Sequence, residues 1–154
     1  MKIKVAWIGR TKEPAIQSLS DEYLKRISRY AQIEGVALRD EESLLEAAGR
    51  GFPAKAKKSN AAKSTLVLLD SRGKEMSSEQ FAQFLGEYQD RNPLPLLFAI
   101  GPADGFRGET KSAAQHVFSL GKMTLAHELA RVVLLEQIYR AFTIRKGHPY
   151  HSGH

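Results

Sequence analysis

The sequence predicts an α/β fold: a mostly parallel sheet of about five strands flanked by helices. Three observations lead there. Apolar runs of strand length alternate with helical patterns along the whole chain. Two of those runs, TLVLL at 65–69 and LLFAI at 96–100, are apolar on both faces, as strands buried inside a parallel sheet are. Each also stops abruptly at turn residues, Asp70 to Gly73 after the first and Gly101-Pro102 after the second. With 154 residues and 42% hydrophobic content the chain suffices for one core, so residues 1–154 are expected to form a single domain.

The elements follow in order. IKVAWI at 3–8 is a strand ending at Gly9, and Ile16, Leu19, Tyr23, Ile27 and Tyr30 then recur at helical spacing. Residues 36–38 form a short second strand, followed by the charged stretch 39–43. From 44 to 63, Gly49, Gly51 and Pro53 break any long helix, and this is the segment expected to be least ordered. It carries Arg50, Lys55, Lys57, Lys58 and Lys63, either a solvated surface or a set of phosphate contacts. Ser77 stands three residues before Gln80 at capping-box spacing, and Phe81, Phe84, Leu85 and Tyr88 give the helix that follows an inward face. Residues 109–115 make a short helix and 116–119 the last strand. Thr124 is expected to cap the final helix.

That final helix has an unusual pattern. Its first half places Leu125, Leu129, Val132 and Val133 on one side, opposite His127, Glu128 and Arg131. In the second half Leu134, Leu135, Ile138 and Phe142 occupy the side that was polar. An apolar stripe that switches sides predicts two burying surfaces, the protein's own sheet for the first half and a partner subunit for the second.

Composition narrows the chemistry. The absence of cysteine excludes disulfides, thiolate metal sites and a cysteine nucleophile, and suits the cytoplasm. The start, MKIKVAWIGR, has no apolar leader core, and no apolar run approaches the roughly 20 residues that span a bilayer, so no membrane partner is expected. A net charge of +6 favours a polyanionic partner. Catalytic templates mostly fail. His127-Glu128 begins a zincin helix, but Arg131 stands where the second histidine ligand is required. His148, His151 and His154 stand three residues apart, a spacing more simply read as a tail than as a metal site. No nucleophile elbow, P-loop or dinucleotide fingerprint is present. What remains is the rule that ligands of open α/β sheets collect beyond the carboxyl ends of the strands. It selects three loops, 70–73, 101–108 and 120–124.

The segments LLDSRGKEMSSEQFA at 68–82, FAIGPADGF at 98–106 and SLGKMTLAHELARVVLLEQIYRAFTIRKGHPYH at 119–151 resemble the small bacterial ribosomal-RNA methyltransferases of the SPOUT superfamily, which methylate N3 of a pseudouridine in 23S rRNA. The likeness covers nearly the whole chain. It implies a deep trefoil knot near the C-terminus, S-adenosylmethionine in the knot loops, a homodimer, 23S rRNA in the ribosome as substrate, and no metal. Carried over by position, it implies that Leu69, Gly101, Pro102, Leu120, Gly121, Lys122, Met123, Thr124, Leu125 and Ala126 bind the cofactor. Arg140, Tyr150 and His151 become the catalytic, substrate-facing residues, on a tail at 145–154. His151 is either the base that takes the N3 proton or a residue that positions RNA. Arg140 stabilises imide charge or binds phosphate, Tyr150 stacks on a base, and Glu136 pairs with Arg140 at i,i+4.

Two departures from the family pattern matter. Pro102 replaces a glycine and removes one backbone N–H, and Ser152-Gly153-His154 replaces a basic residue after the PYH motif. Two competing readings follow: a catalytically inactive RNA-binding or ribosome-assembly factor, to which Pro102 points, and a metal-dependent hydrolase using the tail histidines.

Overall fold

Five strands, β1 (Lys2–Ile8), β2 (Gln32–Leu38), β3 (Thr65–Glu75), β4 (Leu96–Ile100) and β5 (His116–Ser119), form one sheet in the order β2-β1-β4-β3-β5. Every pairing is parallel. The computed structural model describes residues 1–51, 58–102 and 104–152. Lys55 and Lys57 of the basic stretch, and His154 of the tail, lie outside them. Among the described residues four helices connect the strands, α1 (Pro14–Ile27), α2 (Glu41–Ala47), α3 (Ser78–Arg91) and α4 (Gly108–Ala113), and a fifth, α5 (His127–Arg145), follows the last strand.

Strand residues alternate between two cores, which explains why 65–69 and 96–100 are apolar throughout. Val67 and Phe98 face one way, toward Ile27 of α1, Phe81 and Leu85 of α3, and Leu134, Leu135 and Ile138 of α5. Leu66, Leu68, Leu97 and Ala99 face the other way, toward Leu44 and Leu45 of α2 and Phe106. The expected capping box is present in full: Ser77 accepts from the Gln80 amide while the Gln80 side chain accepts from the amide of Ser77.

Several expectations change. The second strand begins at Gln32 rather than 36. The supposedly disordered region opens with helix α2, capped by Asp40, whose carboxylate accepts from the Ser43 amide at 2.8 Å. Leu44 and Leu45 are buried there, and the helix stays short, ending at Ala47 before Gly49, which adopts φ 75. The expected turn at 70–73 interrupts the ladder without ending the strand: Leu69 and Lys74 both pair with Phe118, so residues 70–73 bulge out between them. β3 continues to Glu75 and pairs with β5 a second time, with a register shift between Leu69 and Lys74. Gly73 makes this possible because a Cβ there would lie 2.7 Å from the backbone of Val117 and Phe118. Gly73→Ala is therefore expected to destabilise the protein by about 1–3 kcal/mol, the usual cost of overpacking. Since β5 leads into the loop after Ser119, thermal melting and cofactor affinity should fall together.

The last helix begins at His127, with Ala126 as its N-cap and no side-chain cap, so Thr124 does not cap it. Residues 120–126 remain outside the helix and form a wall of the cavity described below. The order of its two surfaces is also the reverse of that expected. Leu134, Leu135, Ile138 and Phe142 are buried in their own domain, whereas Leu125 and Leu129 are 37% and 50% exposed. The helix keeps a single inward stripe, but its first part is polar. Arg131 is fully buried, donating to Thr11 Oγ1 at 2.8 Å and to the Gly9 carbonyl at 3.4 Å, with its guanidinium 5.2 Å from the Trp7 ring centre. His127 Nε2 lies 2.8 Å from the Ile8 carbonyl, and Glu128 accepts from the amides of Lys12 and Glu13, anchoring the start of α1.

Candidate active site

The carboxyl ends of three adjacent strands, β3, β4 and β5, open onto one cavity of about 440 Å3. This volume lies within the range of about 300–1,000 Å3 typical of small-molecule and cofactor sites. Leu69, Gly101, Pro102, Leu120, Gly121, Met123, Thr124, Leu125 and Ala126 line it, joined by Ala130 from α5. Of the expected cofactor residues only Lys122 is not part of the wall. Gly101 sits under the Phe106 ring, where a Cβ would come within 2.8 Å, so the wall needs glycine at that position. Gly121 adopts φ 138, which lets the loop turn back over the cavity. Pro102 has a structural use as well, its carbonyl accepting from the Gly105 amide at 2.9 Å.

Asp70 is a wall residue that the motif reading did not assign. Its side chain is only 5% exposed, it accepts from the Arg72 amide at 2.9 Å, and Lys111 Nζ lies 3.7 Å from it. Its position directly after the apolar run 65–69 was the available signal.

The three expected substrate-facing residues form one cluster about Glu136. Arg140 Nε and Nη2 donate to Glu136 Oε1 at 2.9 and 2.6 Å, and Tyr150 donates to the same oxygen at 3.1 Å. Arg140 Nη1 reaches His151 Nδ1 at 2.9 Å, and His151 Nε2 meets Glu79 Oε1 at 2.8 Å. An arginine can only donate, so Nδ1 is the acceptor and the ring proton belongs on Nε2. Both imidazole nitrogens are thus engaged. The hydrogen bonds it donates to Glu136 raise the pKa of the Arg140 guanidinium. Burial, then the contacts with Tyr23 and Glu136, push the Tyr150 hydroxyl well above the usual tyrosine range, so it remains a neutral donor. The Tyr150 ring packs edge-on against Tyr139 at 4.7 Å, and the tail lies on its own chain.

Cavity and cluster share one face of α5. His127 and Ala130 line the cavity, Val133, Leu134 and Gln137 line a second chamber of about 300 Å3, and Arg140 belongs to the tail cluster. At 1.5 Å per residue Arg140 lies about 15 Å along the axis from Ala130. Among the described residues no group of three His, Cys, Asp or Glu side chains is placed to hold a metal, and no helix is long and apolar enough to cross a membrane.

A parallel sheet whose neighbouring strand ends and a returning glycine loop enclose one cavity is the architecture of a SPOUT methyltransferase. The chain belongs to that family: the family model described as "Predicted SPOUT methyltransferase" matches residues 1–151. It is 54% identical over 157 residues to Ribosomal RNA large subunit methyltransferase H of Koribacter versatilis (strain Ellin345), with both chains covered completely. It is 43% identical over 152 residues to the protein of the same name from Geobacter sp. (strain M21), covering 98% of this chain and 99% of the relative. Among solved structures, a probable methylase family protein from Haemophilus influenzae Rd KW20 superposes with a TM-score of 0.55 at 14% identity, over 96% of this chain and 69% of the other. The SpoU methyltransferase AviRb from Streptomyces viridochromogenes, solved in complex with AdoMet, superposes at 0.51 and 12% identity, over 96% and 59%. At such identities the likeness is one of fold.

Proposed function

We propose that this protein is an S-adenosylmethionine-dependent methyltransferase acting on N3 of a pseudouridine in 23S rRNA of assembled ribosomes, as a homodimer in the cytoplasm. The observation that carries the reading is the coincidence of the 440 Å3 cavity with the family's cofactor loops on all three strand ends. The residues present fit the cofactor. Leu69, Ile100, Leu120 and Leu125 offer apolar surface to an adenine, the loop backbone offers polar groups, and the buried Asp70 offers an acceptor. When bound, S-adenosylmethionine supplies an electrophilic methyl whose S–C electron pair returns to sulfur as the N3–C bond forms.

The chain's own residues align the base, exclude water and accept the imide proton. As negative charge develops on the imide, Arg140 turns toward it and releases His151 Nδ1. His151 then takes the N3 proton at Nδ1, and its Nε2–H remains on Glu79, which supports the imidazolium. Tyr150 stacks beside the base. The net charge of +6 draws the protein to RNA. A second copy covers the apolar residues that one chain leaves outside, Leu19, Met123, Leu125 and Leu129.

The test is transfer of labelled methyl to ribosomes from cells lacking this protein, with the site mapped by mass spectrometry. Label on pseudouridine N3 is expected; unlabelled 23S rRNA with a folded, cofactor-bound enzyme overturns the proposal. The inactive-factor reading turns on Pro102. Because Pro102 acts through its carbonyl, calorimetry of Pro102→Gly should give an S-adenosylmethionine Kd within about threefold of wild type. A gain of about tenfold, the equivalent of one good hydrogen bond, would instead identify the missing N–H as a lost cofactor contact.

A further inference from the structure

We infer that the chamber between α3 and α5 receives the target base, and that Ser78 and Gln137 select pseudouridine over uridine by accepting its N1–H. The inference rests on the methyltransferase reading above. The chamber, about 300 Å3, shares Leu69, Ser119 and Leu120 with the cofactor cavity, so its occupant abuts the methyl donor. Gln137 adjoins Glu136, whose carboxylate holds Arg140 and Tyr150. A base in the chamber therefore sits between donor and tail. Met76, Phe81 and Phe118 give it apolar walls suited to a flat ring taken out of the RNA stack.

The polar groups in the wall have a definite polarity. A carboxylate only accepts, so Gln137 Nε2 must be the atom facing Glu136, at 3.0 Å, and Oε1 faces Ser78. Ser78 Oγ spends its single hydrogen on Gln137 Oε1 at 2.7 Å. Each of the two oxygens keeps lone-pair capacity, so the pair asks for an N–H donor. In uridine N1 carries the ribose and no hydrogen. In pseudouridine the sugar is on C5, and N1–H diverges from N3 across the C2 carbonyl. With N3 set on the edge that meets both the methyl donor and the tail, N1–H is the donor that remains for the Ser78–Gln137 pair. A site built to hydrogen-bond a substrate N–H rejects the analogue that lacks it, because its own acceptors are then left unpaired.

The experiment compares ribosomes bearing pseudouridine with ribosomes bearing uridine at the target position, using wild type, Ser78→Ala, Ser78→Thr and Gln137→Met. The wild type is expected to favour pseudouridine by about 10²-fold or more in kcat/KM. Ser78→Ala and Gln137→Met should each lose about tenfold or more of that preference, chiefly through slower reaction of pseudouridine, while Ser78→Thr, which keeps the hydroxyl, retains it. Ser78 lies between the capping partners Ser77 and Gln80 and caps nothing itself. Melting temperature and cofactor Kd of Ser78→Ala should therefore match wild type, which separates loss of selection from loss of fold. An unchanged preference in Ser78→Ala and Gln137→Met overturns the inference. So does a wild type that methylates both ribosomes equally, although it leaves the methyltransferase reading standing. A wild type that methylates neither overturns that reading instead.

Discussion

Deletion of residues 148–154 is expected to lower the rate of methylation by about 10²–10⁴-fold, the usual contribution of a positioned acid or base. The same deletion should leave the Kd for S-adenosylmethionine within about twofold, since separate, non-contacting sites behave independently. Among the described residues no tail residue lines the cofactor cavity, and Arg140 keeps its two bonds to Glu136 when the tail is gone. What disappears is the Nδ1 acceptor of His151 and the aromatic face of Tyr150. Single-turnover methylation alongside calorimetry checks both halves. If cofactor affinity falls as far as the rate, the tail is part of the cofactor site and its proposed division of labour from the loop 120–126 is wrong.

Replacing Arg131 by alanine should produce a large loss of stability for a single side chain. Its guanidinium is fully buried, lies over Trp7, and serves Thr11, the Gly9 carbonyl and Glu128 at 3.9 Å. Burial pulls its pKa down and Glu128 pushes it back up. Removing one member of a buried charged network leaves the others unpaired, at a cost of about 3–5 kcal/mol. Among the described residues Arg131 Nε has no hydrogen-bond partner, which limits what the network contributes, so the low end is expected. For a domain of this size about 3 kcal/mol corresponds to a fall in melting temperature of about 6–12 °C. Arg131→Met, which keeps the stem against Trp7, should recover part of it. Calorimetric melting that moves less than about 2 °C would mean that the network adds nothing to stability.

Much of this fold is written locally. Continuous apolar runs at 65–69 and 96–100 mark buried strands because both faces of the sheet are covered, and Ser77 with Gln80 marks a helix start whose two bonds form as the spacing requires. Other features depend on partners distant in sequence. Ser71-Arg72-Gly73 has turn composition and bulges out of the ladder, yet the strand resumes at Lys74 because Gly73 packs closely on β5 some forty positions later. Thr124 has the chemistry of an N-cap, but the loop is held out to wall the cavity and the helix starts without a side-chain cap. The two apolar sets on α5 are indeed buried differently, but it is Leu134, Leu135, Ile138 and Phe142, not Leu125 and Leu129, that seat on the protein's own domain. Periodicity separates the two apolar sets, but an inward stripe that begins with His127, Glu128 and Arg131 can be recognised as inward only once Ile8, Gly9 and Thr11 are beside it. At the site, the motif pointed to residues that line the cavity and to the tail cluster, and the end of the apolar run 65–69 marks Asp70, whereas Ser78 and Gln137 carry no local mark of the use proposed for them.

The seating of α5 on the β1–α1 loop also bears on how the protein is made. The bonds that fix its first turn join residues 115 to 122 positions apart, between opposite ends of the chain. Closing so long a loop costs entropy before any contact repays it, which makes assembly of this region slow. The loop 120–126 is anchored on one side by β5 and on the other by a helix whose seat is built from the first strand. A growing chain therefore holds no methyl-donor site until its last helix has been synthesised and has closed back onto its beginning.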